Sequence, residues 1–223
     1  MKFILTADWH PGIKALTDRL KIELTSGQHV LWLLSGGSNV IASVTVMQAL
    51  PAEITANLTI ILGDERYGVV GHSDSNEYQL QAAGFDIKNA TFLQVLRPNS
   101  SFEVTRSSYE RLIEQAIAKA SIVIGQFGIG TDGHIAGILP RSPAVASTDY
   151  VCAYASTPYQ RLTLTDHALK HVSAAYVLAY GTDKKTALEL LSEKLIPYAE
   201  QPAQILKELP EAYVFNDQIG EAL

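Results

Sequence analysis

The sequence of 223 residues contains one cysteine and no long apolar run. Because Cys152 has no second cysteine to pair with, an internal disulfide is excluded, which fits a reducing compartment. No apolar run approaches the ~20 residues that a membrane-spanning helix requires. The N-terminal residues also lack the long apolar segment and cleavage site of a signal peptide. We therefore predict a cytoplasmic protein with no membrane partner.

Positive charge is scarce as well. The chain has 17 lysines and arginines against 23 aspartates and glutamates, which gives a formal net charge of -6. A nucleic-acid surface needs a basic stripe, so we predict no nucleic-acid partner, and an anionic ligand has to be met by a local basic cluster. His167 and His171 have the spacing of zinc ligands on a helix, but the glutamate of H-E-x-x-H is missing. We predict no metal site.

Apolar residues make up 47% of the chain, and they occur in short runs that alternate with helical patterns. Such runs are typical of parallel strands covered on both faces, and their alternation with helices indicates βαβ units. Two closely spaced runs at 150–155 and 161–165 then indicate a small antiparallel lobe. We predict one α/β domain over residues 1–223, with a doubly wound, mostly parallel sheet flanked by helices, as a monomer or a small homo-oligomer.

The individual elements are predicted from the same patterns. The remaining strands are predicted at 1–6, 30–34, 57–62, 91–95, 121–127, 174–180 and 212–216. Helices are predicted at 11–27, 40–50, 74–83, 109–120 and 202–209, with two more beginning at 166 and near 182. We expect Thr182 or Asp183 to cap the last of these.

A glycine-rich loop comes after the strand at 30–34. Ser35-Gly36-Gly37-Ser38-Asn39 runs directly into a helical pattern. Glycines let backbone N–H groups converge, the helix adds the positive end of its dipole, and serine hydroxyls donate hydrogen bonds to phosphate oxygens. The loop therefore predicts an anion cradle. The alternative is a plain strand-to-helix turn capped by Ser38 or Asn39, and the loop alone does not decide between the two.

Charged side chains stand at the ends of two other predicted strands. Asp64, Glu65 and Arg66 come directly after the strand at 57–62. Lys184 comes after the strand at 174–180, in a first helical turn where a positive charge opposes the helix dipole. Each has an ordinary interpretation as a surface charge. Because the carboxyl ends of parallel strands share one edge of a sheet, each is also a candidate for one shared site.

The segment Gly128–Pro140 comes after the strand at 121–127 and has three interpretations. It is a glycine-rich turn, a dinucleotide loop, or an acid/base loop built on Asp132 and His134. Gly128, Gly130 and Gly133 satisfy G-x-G-x-x-G, but that motif opens a full helix, and here two prolines interrupt the next fifteen residues of the chain. The dinucleotide interpretation therefore fails on context, and the rest of the chain favours acid/base chemistry.

Four separated motifs together resemble the 6-phosphogluconolactonase family. They are Leu34–Ser38; Gly63–Arg66 with Asp74–Asn76; Gly128–His134 with Leu139–Pro140 and Ser142–Ala144; and Arg161–Thr165 followed by Gly181–Lys184. Their order and spacing match over nearly the whole chain, with departures at Val40 and at 135–139. The resemblance implies the Rossmann-like fold shared with glucosamine-6-phosphate deaminases and related sugar-phosphate isomerases. The deaminase pattern has tyrosine in place of Arg66 and glutamate in place of Leu139, so the lactonase is the better match.

The resemblance implies hydrolysis of 6-phosphoglucono-δ-lactone to 6-phosphogluconate, a step of the pentose phosphate pathway, with no metal and no organic cofactor. His134 is then the general base, Asp132 orients its ring or favours the imidazolium, and Arg66 meets developing negative charge or the substrate's polar groups. The implied sugar-phosphate-binding residues are Ser35, Gly36, Gly37, Ser38, Asn39, Asp64, Arg161 and Lys184. A sugar-phosphate deaminase or isomerase, and a non-catalytic sugar-phosphate-binding protein, are the alternatives.

Overall fold

A computed structural model describes residues 1–222 of the chain, and Leu223, the last residue of the predicted domain, lies outside this range. The strands are β1 (Lys2–Leu5), β2 (Val30–Leu34), β3 (Leu58–Leu62), β4 (Asp64–Arg66), β5 (Thr91–Leu93), β6 (Ile122–Phe127), β7 (Val151–Ser156), β8 (Tyr159–Leu164), β9 (Ala174–Ala179), β10 (Glu211–Asn216) and β11 (Glu221–Ala222). The α-helices are α1 (His10–Thr25), α2 (Val40–Ala49), α3 (Asn76–Ala82), α4 (Phe102–Lys119), α5 (Asp166–Leu169) and α6 (Lys185–Glu193). None of the helices within residues 1–222 is both long and apolar enough to cross a membrane.

The main sheet has eight strands in the order β11-β1-β10-β9-β6-β2-β3-β5, and all of its pairings are parallel. From β2 the chain proceeds to β3 and β5 on one side, and then to β6, β9 and β10 on the other side. The predicted doubly wound, mostly parallel sheet flanked by helices is therefore confirmed. The strand order reverses between β2 and β6, and ligands of open α/β sheets bind at such a switch point.

The core forms because the central strands are apolar on both faces. Every residue of β2 and of β9 is buried, and Trp32 and Phe127 are among the largest fully buried side chains. Helix α1 covers the sheet with Leu16, Leu20 and Leu24, which recur every fourth residue on one face and are all buried. At about 1.5–3 kcal/mol for each fully buried large apolar side chain, this pattern favours the predicted layered arrangement.

A second sheet confirms the predicted antiparallel lobe and adds a strand to it. Its order is β4-β8-β7, and both of its pairings are antiparallel. Residues 64–66 were predicted as charged side chains at the end of the strand at 57–62, and not as a strand of their own. They form one because the neighbouring strand β8 supplies backbone partners, with Arg66 opposite Arg161.

Three details of the predicted elements were wrong. Thr182 and Asp183 do not cap α6, because they belong with Lys184 to a 3₁₀ helix that runs directly into it without a side-chain cap. Residues 202–209 are not an α-helix, since the helical part is a 3₁₀ helix of six residues, Pro202–Lys207. The helix predicted at 109–120 begins earlier, at Phe102, because the Ser101 hydroxyl accepts the backbone N–H of Val104 and caps the helix there.

Candidate active site

Polar loops meet at the carboxyl ends of four adjacent strands. In the sheet these strands lie in the order β9-β6-β2-β3, and the segments that follow them contain Lys184, His134, Ser35–Asn39 and Asp64–Arg66. They surround an open pocket of about 220 Å³. The pocket is lined by ten of the eleven predicted site residues, namely Ser35, Gly36, Gly37, Ser38, Asn39, Asp64, Arg66, His134, Arg161 and Lys184. Asp132, the eleventh, contacts the pocket through His134.

The glycine loop is held by Asn39 rather than by a helix cap. Asn39 precedes α2, but its side chain makes no capping hydrogen bond. Instead its Nδ2 donates to the backbone oxygen of Leu178 (3.4 Å), and its own backbone oxygen accepts from Gln126 Nε2 (3.2 Å). Ser38 does not cap α2 either, so the interpretation of this loop as a capped turn was wrong. The loop is joined to β6 and β9 and faces the pocket.

The loop after β6 has an apolar interior and a polar outer side. Ile129, Ile135 and Ile138 are buried, and isolated β-bridges join Ile129 to Ile135 and Ile135 to Ile138. The loop is also tied to the second sheet, since the Tyr154 hydroxyl donates to the backbone oxygen of Gly137 (2.5 Å). No helix begins within 128–142, and the next helical segment is a 3₁₀ helix at Pro143–Ala146. This agrees with the rejection of a dinucleotide loop.

Asp132 and His134 form a paired carboxylate and imidazole at the rim of the pocket. The distance from Asp132 Oδ1 to His134 Nδ1 is 2.7 Å, and the backbone N–H of His134 donates to the same oxygen at 3.1 Å. The bond to His134 lowers the pKa of Asp132 to about 2. Because Nδ1 is engaged by Asp132, Nε2 is the ring nitrogen left for a ligand or water. The His134 side chain is 36% exposed.

Gly130 makes this pairing sterically possible. A Cβ at position 130 would lie 2.0 Å from His134 Nδ1 and 2.6 Å from Asp132 Oδ1. Both distances are far below a van der Waals contact, so any larger residue displaces one partner or both. The glycine is therefore required for close approach of the two side chains.

Three basic side chains provide the positive charge of the pocket. Arg66 Nη1 donates to the backbone oxygen of Asp74 (2.8 Å). Arg161 is 16% exposed, and its Nη1 lies 3.8 Å from Asp64 Oδ2. The Lys184 side chain is 23% exposed, and its Nζ lies 3.9 Å from Asp183 Oδ2. The acidic chain thus concentrates cations at this one edge of its sheet, as an anionic ligand requires.

The position of Asn76 in the site was not predicted from the sequence, in which Asp74–Asn76 indicates a helix start. Ser75 does cap α3, since its hydroxyl accepts from the backbone N–H of Tyr78. Asn76 also lines the pocket, and its Nδ2 donates to the backbone oxygen of Asp64 (2.8 Å). A Cβ at Gly36 would lie 1.9 Å from Asn76 Oδ1, so the two residues are in close contact. The available signal was the position of Asn76 within a motif of the resemblance.

The buried carboxylate of Glu65 holds the backbone segments next to the pocket. It is fully buried and accepts the backbone N–H groups of Arg66 (2.7 Å), Asn76 (2.7 Å) and Glu77 (3.0 Å), together with the Ser75 hydroxyl (3.0 Å). Burial raises the pKa of Glu65 above its usual range, although the three backbone bonds act in the opposite direction. The carboxylate therefore joins the start of α3 to the strand that carries Arg66.

Several buried polar atoms around the pocket have no partner within residues 1–222. They are Ser35 Oγ, Asn39 Oδ1, Asn76 Oδ1 and Arg66 Nε. Leaving a buried polar atom unpaired ordinarily costs about 1–3 kcal/mol, so their concentration at one place is typical of a binding site. Residues 1–222 contain no group of three or more His, Cys, Asp or Glu side chains that could hold a metal ion.

Comparison with known proteins identifies the family to which the chain belongs. Residues 12–215 match the family described as glucosamine-6-phosphate isomerases/6-phosphogluconolactonase. A relative from Synechocystis sp. named 6-phosphogluconolactonase is 28% identical, with 85% of this chain and 83% of that protein covered. A relative from Lactobacillus johnsonii named glucosamine-6-phosphate deaminase is also 28% identical, with 100% and 97% covered.

A solved structure extends the likeness to three dimensions. The crystal structure of a 6-phosphogluconolactonase from Shewanella baltica superposes with a TM-score of 0.82 at 18% identity, covering 97% of both chains. At that identity the similarity shows the fold alone. Because the family match extends over most of the chain, the protein belongs to the glucosamine-6-phosphate isomerase/6-phosphogluconolactonase family.

Proposed function

We propose that the protein hydrolyses 6-phosphoglucono-δ-lactone to 6-phosphogluconate. One observation carries the proposal: the Asp132–His134 pair, with 2.7 Å between Oδ1 and Nδ1, borders the same pocket as Arg66, Arg161 and Lys184. A base and a cationic cluster that border one pocket match a ligand with an ester carbonyl and an anionic tail. The names of the relatives in the same family are consistent with this substrate.

His134 acts as the general base in this proposal. An imidazole ordinarily titrates near neutral pH, and the bond from Nδ1 to Asp132 leaves Nε2 to take a proton from water. The water oxygen attacks the lactone carbonyl carbon and forms a tetrahedral oxyanion. When the bond to the ring oxygen breaks, that oxygen receives the proton from His134 and becomes the sugar hydroxyl. The carboxylic acid then releases its own proton to solvent.

Arg66 is the better candidate to stabilise the oxyanion. The alternative donors are the five backbone N–H groups of the 130–134 loop, and three of them are already engaged. Those of Gly130 and Gly133 donate to carbonyls of the same loop, and that of His134 donates to Asp132. The Nε of Arg66 has no partner within residues 1–222. A donor that is already in place stabilises developing charge without reorganisation.

The phosphate is proposed to lie on the loop Ser35–Asn39, where Arg161 and Lys184 supply charge and Asp64 positions Arg161. Holding the phosphate in this way directs the lactone ring toward His134 and turns hydrolysis into a reaction of prepositioned groups. We further propose that the reaction needs no metal or organic cofactor. The protein is proposed to act in the cytoplasm as a monomer or small homo-oligomer, without a nucleic-acid partner.

The deaminase alternative differs at position 139. The deaminase pattern has a glutamate there, but this chain has Leu139, an apolar residue packed against the core. Without that carboxylate, ring opening and deamination lose a proton-transfer group.

Two assays on the purified protein test the proposal. The protein should accelerate loss of the lactone over its spontaneous hydrolysis in an assay coupled to 6-phosphogluconate dehydrogenase, and it should release no ammonia from glucosamine 6-phosphate. Ammonia release without lactonase activity would reject the proposal, and binding without any turnover would favour a sugar-phosphate sensor.

Single substitutions separate the two ends of the pocket. His134→Ala should lower kcat by about 10²–10⁴-fold, the contribution of a positioned general base, with little change in KM. Arg161→Ala and Lys184→Ala should mainly raise KM, because their charges contact the anionic tail. Initial rates over a range of lactone concentrations test this, and an unchanged kcat in His134→Ala would remove His134 from the role of base.

A further inference from the structure

The geometry points to Tyr159 as a positioning residue that holds Arg66 and Arg161 in place for an anionic ligand. The inference rests on the proposed function, because it concerns the basic end of the same pocket. Tyr159 belongs to none of the motifs that carry the family resemblance, and it does not line the pocket itself. Its action would therefore pass through the two arginines.

The three side chains share one face of the second sheet. Tyr159 and Arg161 are two residues apart on β8, so their side chains point to the same side, and Arg66 of β4 lies directly opposite Arg161. The Cζ atom of Arg66 lies 5.3 Å from the centroid of the Tyr159 ring, and that of Arg161 lies 5.6 Å from it. Both distances are within the ~6 Å over which a cation is attracted by an aromatic face.

Two like charges directly opposite each other on paired strands repel. Within residues 1–222, the Asp64 carboxylate is the only one that pairs with Arg161, at 3.8 Å. No carboxylate within these residues forms an ion pair with Arg66. An aromatic ring attracts both guanidiniums without adding a full negative charge. A second carboxylate in its place would compete with an anionic ligand for the same arginines, so a tyrosine suits a site that has to stay positive.

Other contacts complete the positioning of the arginines. Arg161 Nε donates to Ser156 Oγ (3.2 Å), and Arg66 Nη1 donates to the backbone oxygen of Asp74 (2.8 Å). Each bond uses one donor and leaves the others for a ligand. The Tyr159 hydroxyl has no hydrogen bond to any of residues 1–222, which assigns its role to the ring face.

Binding of inorganic phosphate tests the inference, measured by titration calorimetry on the full chain. Tyr159→Leu removes the ring and should weaken phosphate binding about 3–30-fold, the range that cation–π contacts support. Tyr159→Phe keeps the ring and should bind within about twofold of the wild type. In the lactonase assay, Tyr159→Leu should raise KM by a similar factor and should also lower kcat, because Arg66 is the proposed oxyanion donor, whereas Tyr159→Phe should keep both values.

Tyr213→Leu is the matched control, since Tyr213 is another half-buried strand tyrosine but lies on β10 and does not line the pocket. It should bind phosphate as the wild type does. Thermal midpoints identify any variant that fails to fold, and Tyr159→Met replaces Tyr159→Leu if the latter unfolds.

Three results would overturn the inference. They are unchanged phosphate binding in a folded Tyr159→Leu or Tyr159→Met protein, an equal loss in Tyr159→Phe, and no phosphate binding by the wild type. If the wild type binds phosphate but does not hydrolyse the lactone, the proposed function fails. The comparison of Tyr159→Leu with Tyr159→Phe still decides the role of the ring in that case.

Discussion

At the scale of single residues, the candidate site depends on how closely Asp132 and His134 approach each other. They are separated by one residue, and Gly130, two residues earlier in the same loop, leaves the space that they occupy. The spacing of Asp132 and His134 allows a hydrogen bond but does not guarantee one. The hydrogen bond forms because the loop is folded back on itself by the bond from the backbone N–H of Gly130 to the backbone oxygen of His134 (3.0 Å).

Gly130→Ala should therefore lower kcat at least tenfold, because the added Cβ would lie 2.0 Å from His134 Nδ1 and displaces the base from its position. Gly84→Ala is the control, since Gly84 has a φ of +82° and no atom within 4 Å of its added Cβ. That control should lose stability and keep its kcat. Equal kcat values for Gly130→Ala and the wild type would show that the proposed base tolerates displacement.

The low pKa of Asp132 predicts how stability depends on pH. Its pKa falls from the ordinary value of 3.8 to about 2 in the folded protein, so the ionised form stabilises the fold above pH ~4. This contribution is lost as the pH falls from about 4 to 2. Because Asp132 is 48% exposed, we expect less than about 1 kcal/mol.

Urea unfolding of the wild type and Asp132→Asn measures this contribution. The free energies of unfolding should differ most between about pH 5 and 7 and should converge near pH 2. A difference between the two free energies that stays constant from pH 5 down to pH 2 would contradict the assigned pKa.

At the scale of elements, the short helix α3 and the strand β4 depend on one buried carboxylate. Glu65 accepts three backbone N–H groups and a hydroxyl, and two of the N–H groups belong to the first residues of α3. This explains how a strand of three charged residues and a helix of seven residues stay in a fixed relation. Arg66 and Asn76, which line the pocket from these two elements, are held in place together.

Glu65→Ala should lower the free energy of unfolding by roughly 3 kcal/mol or more, because it leaves three backbone donors without their acceptor. Glu65→Gln should lower it less, since the amide oxygen still accepts while the amide nitrogen does not. Glu53→Ala, at an exposed position of a 3₁₀ helix, should change it by no more than about 0.5 kcal/mol. Urea denaturation compares the three variants, and similar midpoints for Glu65→Ala and Glu53→Ala would reject the support role of Glu65.

At the scale of the whole molecule, a chain of net charge -6 concentrates cations at the carboxyl edge of one sheet. The predicted chemistry there is complete without a metal, because a lactone is an activated ester and the base and the cations come from side chains. Activity and thermal midpoint should both survive dialysis against EDTA. Loss of activity that Mg²⁺ or Zn²⁺ restores would contradict the prediction.

Much of this architecture was predictable from local patterns. The apolar runs of β2, β6 and β9 and the helical spacing of α1 and α4 predicted a parallel α/β sheet, since burial on both faces leaves a recognisable periodicity. The antiparallel lobe was predicted from two strands, but its third strand was not. A segment of three charged residues becomes a strand only when a partner strand satisfies its backbone, and no local pattern reports that partner.

The sequence by itself determined the fold class, the glycine positions and the residue types of the site, because burial periodicity, backbone freedom and side-chain chemistry are properties of short segments. The tertiary structure decided which residues meet. Asn76 enters the pocket because α3 packs against β4, and Tyr159 faces two arginines because β4 and β8 pair in one register. Those contacts join segments far apart in the chain, so they depend on the packing of whole elements and on no single motif.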